Sequence, residues 1–588
     1  MIGIRSLQQG LFDVGNVYSL HLDPKGFYGQ LAAAASRLFE DRDFEAFYHE
    51  RIGRPSVPPS QLALMTLMQH YTGCSDEEAV ERTAYDLRWA AVLGVAAGER
   101  VCAKSTFQLF RAHLVLHDEV RTVFQKSIAE AKAAGLLKRG SALRLALDTK
   151  PILGRGAVKD TYNLLGDGIR QLAGRLAAAV GEAVEAWACA RDFGRYFGSS
   201  LKGEADIDWT DAAARQAFLT EVVVDARRLL RMAGEQMAGG ESEGIRAGAK
   251  LLEQLLLQDV VESRPSEGEA KAEIRKGTAP DRIPSLTDEE QRHGHKSKSK
   301  RFTGNKAGIA VDTDSQIITD AEVLAGNAGD AEGALQQVER SEENAQEKVG
   351  DSLGDCAYSG GETMQAFADA GRELAAKMPQ ETSGKGLFPK SAFTINFAEN
   401  TVTCPNGQTA CDFGREQNGG KVFRFGAACE GCPLRGECTR AAEGRSIRVH
   451  PQEQMRQAAR AYQQTPAGRA RLRERVVVEH TLARLAHLGI GQARYCGRKK
   501  TRFQLLMACT IANLRRTWNW VAAQAVGNGA GPEGGKHASG RPRRSMVAGM
   551  RAILGRVTGR WGSRLLPGGV RSHHDAMVLA ARQATTIA

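Results

Sequence analysis

Segments able to form β-strands are few, short and far apart in this chain, and that spacing limits the fold more than any other feature. Leu143-Arg-Leu-Ala-Leu-Asp148 alternates large apolar residues with others and stops on an acid, the pattern of a strand with a carboxylate at its C-terminal end. The next strand signals come only after residue 300. Lys306 to Val311 and Gln316 to Val323 flank Asp312-Thr313-Asp314-Ser315, and the turn chemistry with flanking alternation predicts a hairpin. One more strand is expected near Lys348 to Leu353, with Asp355 just beyond it. If these pieces share one mixed sheet, most of the chain between them is covering helix or insertion.

Helical patterning fills most of the rest, except residues 385–455, which read as short strands and contain a cysteine cluster. Residues 27 to 135 read as short helices separated by tight turns. Ser60 is expected to cap a helix over Gln61 to Tyr71, and Ser75-Asp-Glu-Glu78 has the form of a capping box. Such a run suits a helix-turn-helix DNA reader and an ordinary bundle alike. Residues 166–275 form an Ala-rich helical insertion and 265–300 a polar loop. Helices are also expected over Asp330 to Asn344, 361–377, Pro451 to Leu488 and Phe503 to Val521. After Gly527 the chain turns Gly- and Arg-rich. The expected division is a helical N-terminal domain (1–135), an α+β or α/β mixed-sheet catalytic domain (140–520, with a Cys-rich insertion at 385–455) and a basic tail (525–588).

With 588 residues, 42% of them hydrophobic, the chain has material for a sizeable core. Its net charge of +11 favours a polyanionic partner. No apolar run reaches the roughly 18 residues that span a bilayer, and Met1 to Asp13 lacks the apolar stretch of a secretion signal. A cytoplasmic protein without a membrane partner is expected.

A strand-end Asp, a hairpin, a second strand-end Asp and then a helical Glu is the order used by RNase H-like nucleases. Asp148, Asp355 and Glu479 fill it. Phosphodiester cleavage needs an activated nucleophile and relief for the leaving oxygen, which two Mg²⁺ ions about 4 Å apart supply. Magnesium takes oxygen ligands, commonly carboxylates. Taken singly, each acid reads equally well as a turn, cap or solvated residue. Arg475 lies four residues before Glu479, on the same helix face, and can grip a phosphate or simply pair with the Glu. Val478, Leu482 and Leu485 form the stripe that would seat this helix.

Five of the 11 cysteines fall between Cys404 and Cys438. In a reducing compartment such a cluster reads as a metal site. Cys429-Glu-Gly-Cys432 is a zinc-knuckle spacing. Cys404, Cys429, Cys432 and Cys438 would close a structural Zn²⁺ site, with Cys411 the substitute for Cys404. The other reading is a set of free thiols. From Gly491 to His574 the sole acid is Glu533. Arg494, Arg498, Lys499, Lys500 and Arg502, interleaved with Tyr495 and Phe503, suit DNA phosphate contact and stacking.

Several longer stretches are distinctive: Gly53-Arg-Pro-Ser-Val-Pro-Pro59, Lys104-Ser-Thr-Phe107, Leu147-Asp-Thr-Lys-Pro-Ile-Leu-Gly-Arg-Gly-Ala-Val-Lys-Asp-Thr-Tyr-Asn163, Ser299-Lys-Arg-Phe-Thr-Gly-Asn-Lys306, Gly354-Asp-Cys-Ala-Tyr358, Cys429-Glu-Gly-Cys-Pro-Leu434 and Val477-Val-Glu479. Through them the chain, from about Arg5 to Arg516, resembles bacterial insertion-sequence transposases of the DDE type, in the group with a Cys-rich insert ahead of the catalytic Glu. The resemblance implies an RNase H-like core, Mg²⁺ or Mn²⁺ held by Asp148, Asp355 and Glu479, and double-stranded DNA as partner, both inverted-repeat ends and target. It also implies a homodimer in the DNA complex, nucleoid association, and cleavage followed by strand transfer. Of the signature Tyr-x2-Arg-x3-Glu-x6-Lys, Arg475 and Glu479 match, while Leu472 and Ala486 stand at the Tyr and Lys positions. Lys150 departs from the small residue usual there. Asp351 competes with Asp355, which fits the Asp-x-x-Tyr pattern. The alternatives are an inactive or domesticated transposase serving as a zinc-containing DNA-binding protein, and a nuclease that cuts without joining.

Overall fold

The computed structural model describes residues 1–5, 14, 18, 21–49, 52–238, 243–263, 271–297, 299–381 and 386–528. The expected basic tail lies outside the described residues from 529 onward. The remote strand segments do meet in one mixed sheet. Its strands are β1 (Leu143–Leu153), β2 (Arg292–His295), β3 (Arg301–Asp312), β4 (Ile318–Ala325), β5 (Val349–Gly354) and β6 (Leu374–Ala376). β3 pairs antiparallel with β1 on one edge and with β2 and then β4 on the other. β1 continues parallel to β5, and β5 to β6. Residues 304–312 of β3 are buried without interruption, as expected of a strand covered on both faces. The helices Ala334–Ala345 and Val476–Leu485 pack on it.

The hairpin turn between β3 and β4 works as its sequence implies. Asp312 Oδ2 accepts from Ser315 N (2.8 Å) and Ser315 Oγ (2.6 Å), the side-chain turn that Asp favours. Several sequence expectations are corrected. β1 does not stop at Asp148. Thr149 to Leu153 continue the ladder against Gly308 to Gly304, so Asp148 lies mid-strand; apolar alternation fails there because the ladder, not a buried face, holds the segment. The polar loop expected over 265–300 contains two strands, Lys271–Ile274 and β2, short polar edges that hydropathy does not mark. Ser60 is not a cap: Pro58 is the N-cap, Pro59 takes the first helical position and Ser60 is buried, in keeping with the preference of proline for that position. The Ser75 cap is present, its Oγ accepting from Glu78 N at 3.1 Å. The helix over 361–377 ends at Asp369 and gives way to β6. The stretch expected as one helix from Pro451 breaks into Glu453–Gln464, Pro466–Arg473 and Val476–Leu485, because Pro466 cannot continue a helix and starts a new one behind the Thr465 cap.

Three apolar cores organise these elements. The first joins the N-terminal helices, the sheet and the helix Arg498–Asn528, through residues such as Leu64, Trp89, Phe124, Leu147, Ile309, Val478 and Leu506. Met1–Val526 accordingly forms one compact unit, with no break near residues 135–140. The second core lies within the helical insertion, between Thr161–Ala179, Ala212–Ala238 and Glu243–Asp259. The third, around Phe393, Val402, Phe423 and Ile447, belongs to the Cys-rich insertion, which folds as two small three-stranded sheets.

Candidate active site and cysteine centre

The parallel register sets up the first pair of acids. Leu145 is level with Ser352 and Ala146 with Leu353. Two residues beyond that last pair on each path stand Asp148 and Asp355, and the charge of Asp355 acts on Asp148. Asp355 caps the short 3₁₀ turn Cys356–Tyr358, its Oδ1 accepting from Ala357 N at 2.8 Å. The third acid arrives on the helix Val476–Leu485, seated by buried Val478, Leu482 and Leu485. That stripe leaves Glu479 54% exposed, with Arg475 just before the helix at 18% and Asp148 at 17%.

Arg475 links the acids. One terminal nitrogen donates to Asp148 Oδ2 at 3.1 Å and the other to Glu479 Oε1. A guanidinium thus holds two of the three carboxylates on one cation. Asp148 is pushed above the usual carboxylate range, first by burial and also by the charge of Asp355; the N–H of Thr149, Arg475 and Lys296 act in the opposite direction. Tyr358 is fully buried and its hydroxyl has no partner among the described residues. Burial, followed by the fields of Asp148, Asp355 and Asp330, drives its pKa well up. Asp351 is differently occupied: Arg471 grips both its oxygens, and Arg144 and Glu474 complete that cluster.

Among the described residues no three His, Cys, Asp or Glu side chains are gathered into a metal-holding group. The acids suit a hard divalent cation in kind, but Asp148 and Glu479 are drawn onto Arg475 in this conformation. The donor set fits a metal; the conformation fits the guanidinium.

Four of the five thiols of the cysteine insertion line one cavity, without the approach of a metal-holding group. Cys404, Cys429, Cys432 and Cys438 line a cavity of about 20 Å³, and Cys438 feels the charges of the other three, although burial is the main cause of its raised pKa. Cys411 is exposed and not part of that lining. The knuckle turns through Gly431 at φ +67°, a left-handed position natural to glycine. The backbone N–H of Arg445 donates to Cys429 Sγ at 3.4 Å.

The basic segment is mostly committed to the protein itself. Arg494 donates to the carbonyl of Cys74, Arg498 pairs with Glu290, and Arg502 with Asp118 and Glu322. Lys499 and Lys500 are exposed. The basic group that sequence reasoning missed is Lys296, whose charge reaches Asp148. The Lys/Ser alternation from Lys296 to Lys300 was the available signal, but it reads as loop.

Two comparisons with known families now bear on this arrangement. Residues 403–518, which carry the cysteine centre, Arg475 and Glu479, match the Transposase DDE domain. Residues 22–113, the N-terminal helices, match the Transposase domain (DUF772). No curated protein and no solved structure gives a significant match. Two separate segments of the chain are therefore similar to transposase domains, a class that implies DNA as partner and divalent metal as cofactor. More particularly, the two matches indicate a DDE transposase of the bacterial insertion-sequence type. No helix among the described residues is long and apolar enough to cross a membrane.

Proposed function

We propose that this chain cuts and joins DNA at the inverted-repeat ends of an insertion sequence, through an RNase H-like site made of Asp148, Asp355 and Glu479. The observation that carries the proposal is the meeting of distant residues around one cation: Asp148 and Glu479 both bind Arg475, and Asp355 follows Asp148 in the parallel register.

In this reading the three carboxylates hold Mg²⁺ or Mn²⁺, which when bound supplies positive charge at the attacking and leaving oxygens. The other steps belong to the chain and its substrate. Arg475 leaves the two acids and donates to a non-bridging phosphate oxygen, for which its fork is suited. Water attacks the phosphorus in line, loses its proton, and the 3′ oxygen departs as a 3′-OH. That hydroxyl then attacks a phosphodiester of target DNA, so one such bond forms as one breaks and no protein–DNA bond is needed. The helix Val476–Leu485, fixed by its buried stripe, keeps Glu479 on the side that meets Arg475. A homodimer in the bacterial cytoplasm, at nucleoid DNA, would hold the two ends together. Cys404, Cys429, Cys432 and Cys438 would hold a structural Zn²⁺, and the Cys429 sulfur already accepts a backbone N–H, as a thiolate ligand does.

The experiment is cleavage of a DNA end by Asp148→Asn, Asp355→Asn and Glu479→Gln. Each should fall about 100-fold or more, with DNA binding retained. A variant that cleaves near the wild-type rate removes that residue from the assignment. A second reading, an inactive transposase acting as a zinc-containing DNA-binding protein, draws on Arg475 filling the place between the acids. Wild-type protein that binds ends but neither cuts nor joins with Mn²⁺ would favour it.

A further inference from the structure

Past Asp148, β1 runs on against β3 in unbroken register, with Asp148 opposite Ile309, Lys150 opposite Ala307 and Leu153 opposite Gly304. Side chains alternate between the two faces of a strand, so Lys150 lies on the face that carries Asp148, about 6.6 Å further along. Arg475 meets that face through its bond to Asp148. Beside Lys150 in the same row stand Ala307 and then Val323, both buried. Lys150 is itself only partly exposed. Among the described residues its ammonium has no hydrogen bond or ion pair. The one carboxylate at the positions next to it on that face is Asp148, and Arg475 holds it.

The other edge of β1 is interrupted at this same point. Its parallel pairing with β5 ends at Ala146 and Leu353. Pairing on that side resumes at Leu153, whose N–H donates to Gly491 O (3.0 Å) and whose carbonyl accepts from Ala493 N (2.8 Å). Between these points no strand flanks that edge of β1 among the described residues. Edge-facing donors alternate along a strand, so those of Thr149 and Pro151 would share the direction of Leu153. The Thr149 N–H is taken by Asp148 Oδ1 (2.7 Å), and proline has none. This stretch therefore offers no free N–H to a further strand. What it presents is an acid and an ammonium, side by side on one face.

A partly exposed lysine usually means only a solvated charge. This one stands on a paired strand, among buried apolar neighbours, two positions from an acid that another cation already holds. We infer that Lys150 is a substrate-contact residue of the site: its ammonium takes a non-bridging oxygen of the DNA phosphate next to the reacting one. It does so from the sheet, while Arg475 approaches from the helix side. The inference rests on the transposase reading, because it needs DNA at Asp148. Three carboxylates repel a polyanion, and Lys150 offsets that repulsion without occupying the acids as Arg475 does.

The test is binding of an end-sequence duplex to the full-length protein by fluorescence anisotropy, at several salt concentrations and without divalent metal. It compares wild type, Lys150→Met, which keeps an apolar stem beside Ala307, Lys150→Arg, which keeps the charge, and a control, Lys138→Met, at an exposed lysine. One lost phosphate contact lowers the slope of log K against log salt by about 0.9. Lys150→Met should lose about that much slope and bind about 5- to 10-fold weaker near 0.1 M salt, while Lys150→Arg and the control stay near wild type. A second measurement does not depend on how the variant folds. Single methylphosphonates, which remove one phosphate charge each, are placed in turn beside the cleavage position. One of them should weaken wild type by a similar factor and cost Lys150→Met nothing further. Equal affinity and slope for Lys150→Met would overturn the contact and leave the transposase reading standing. So would a wild type indifferent to every such methylphosphonate, or an equal loss in the control. Wild-type protein that binds no end duplex would remove the transposase reading and the Lys150 contact together.

Discussion

Arg475 sits on Asp148 and Glu479 and in the proposed reaction moves to a phosphate, so it should compete with divalent metal. A hydrogen bond to a charged group contributes about 1.5–3 kcal/mol, and Arg475 makes one to each of two acids. Arg475→Ala should therefore bind Mn²⁺ roughly 10- to 100-fold more tightly than wild type when DNA is absent, as read by calorimetry or by loss of the free Mn²⁺ resonance. Unchanged or weaker affinity would mean that Arg475 does not guard the acids. At this scale the sequence was informative where spacing alone sets geometry. The four-residue step from Arg475 to Glu479 and the Val478, Leu482, Leu485 stripe both appear in the fold. The second grip of Arg475 on Asp148 spans 327 positions and has no local signature.

Among the elements, the cysteine insertion is the one whose order should depend on a ligand. Its core is small, with Phe393, Val402, Phe423, Phe425 and Ile447 the main buried side chains, and a structure of that size commonly needs a staple. A bound zinc links site assembly to folding. Purified protein should contain about one zinc per chain. Cys432→Ser should lose it and become sensitive to proteases within residues 386–449, whereas Cys411→Ser should keep both metal and resistance. Zinc retained by Cys432→Ser, or lost from Cys411→Ser, would refute this ligand set. The knuckle spacing was readable from the chain, as was the hairpin around Asp312–Ser315. The strands β2 and Lys271–Ile274 were not, since they are short, polar and lie at sheet edges, where pairing rather than burial decides the conformation.

Across the whole molecule, one core joins the N-terminal helices to the mixed sheet, and its seams are polar as well as apolar. Asn513 on the helix Arg498–Asn528 donates to Ser127 Oγ (3.2 Å) and Ile318 O (2.9 Å) and accepts from Ile318 N (2.8 Å). At another seam His70 meets Phe503 edge-on, ring centroids 5.0 Å apart. His70 Nδ1 donates to Thr66 O at 2.9 Å and Nε2 is buried without a partner among the described residues, so the ring is neutral in the fold. Burial first, then the charges of Arg494 and Arg111, lower its pKa to about 4; the Thr66 bond and Asp76 oppose them. The folded value lies below the unfolded one, so between pH 6.5 and 4 the unfolded chain takes up the proton first. This contribution is complete above pH 6.5 and is lost as pH falls toward 4, by about 3 kcal/mol in all. Urea unfolding of wild type and His70→Gln across that range should show the stability difference shifting in favour of the variant as pH drops. A difference that stays constant from pH 6.5 to 4 would mean that His70 is not held neutral at this seam, and that the N-terminal helices and the helix Arg498–Asn528 are joined there less tightly than their packing implies.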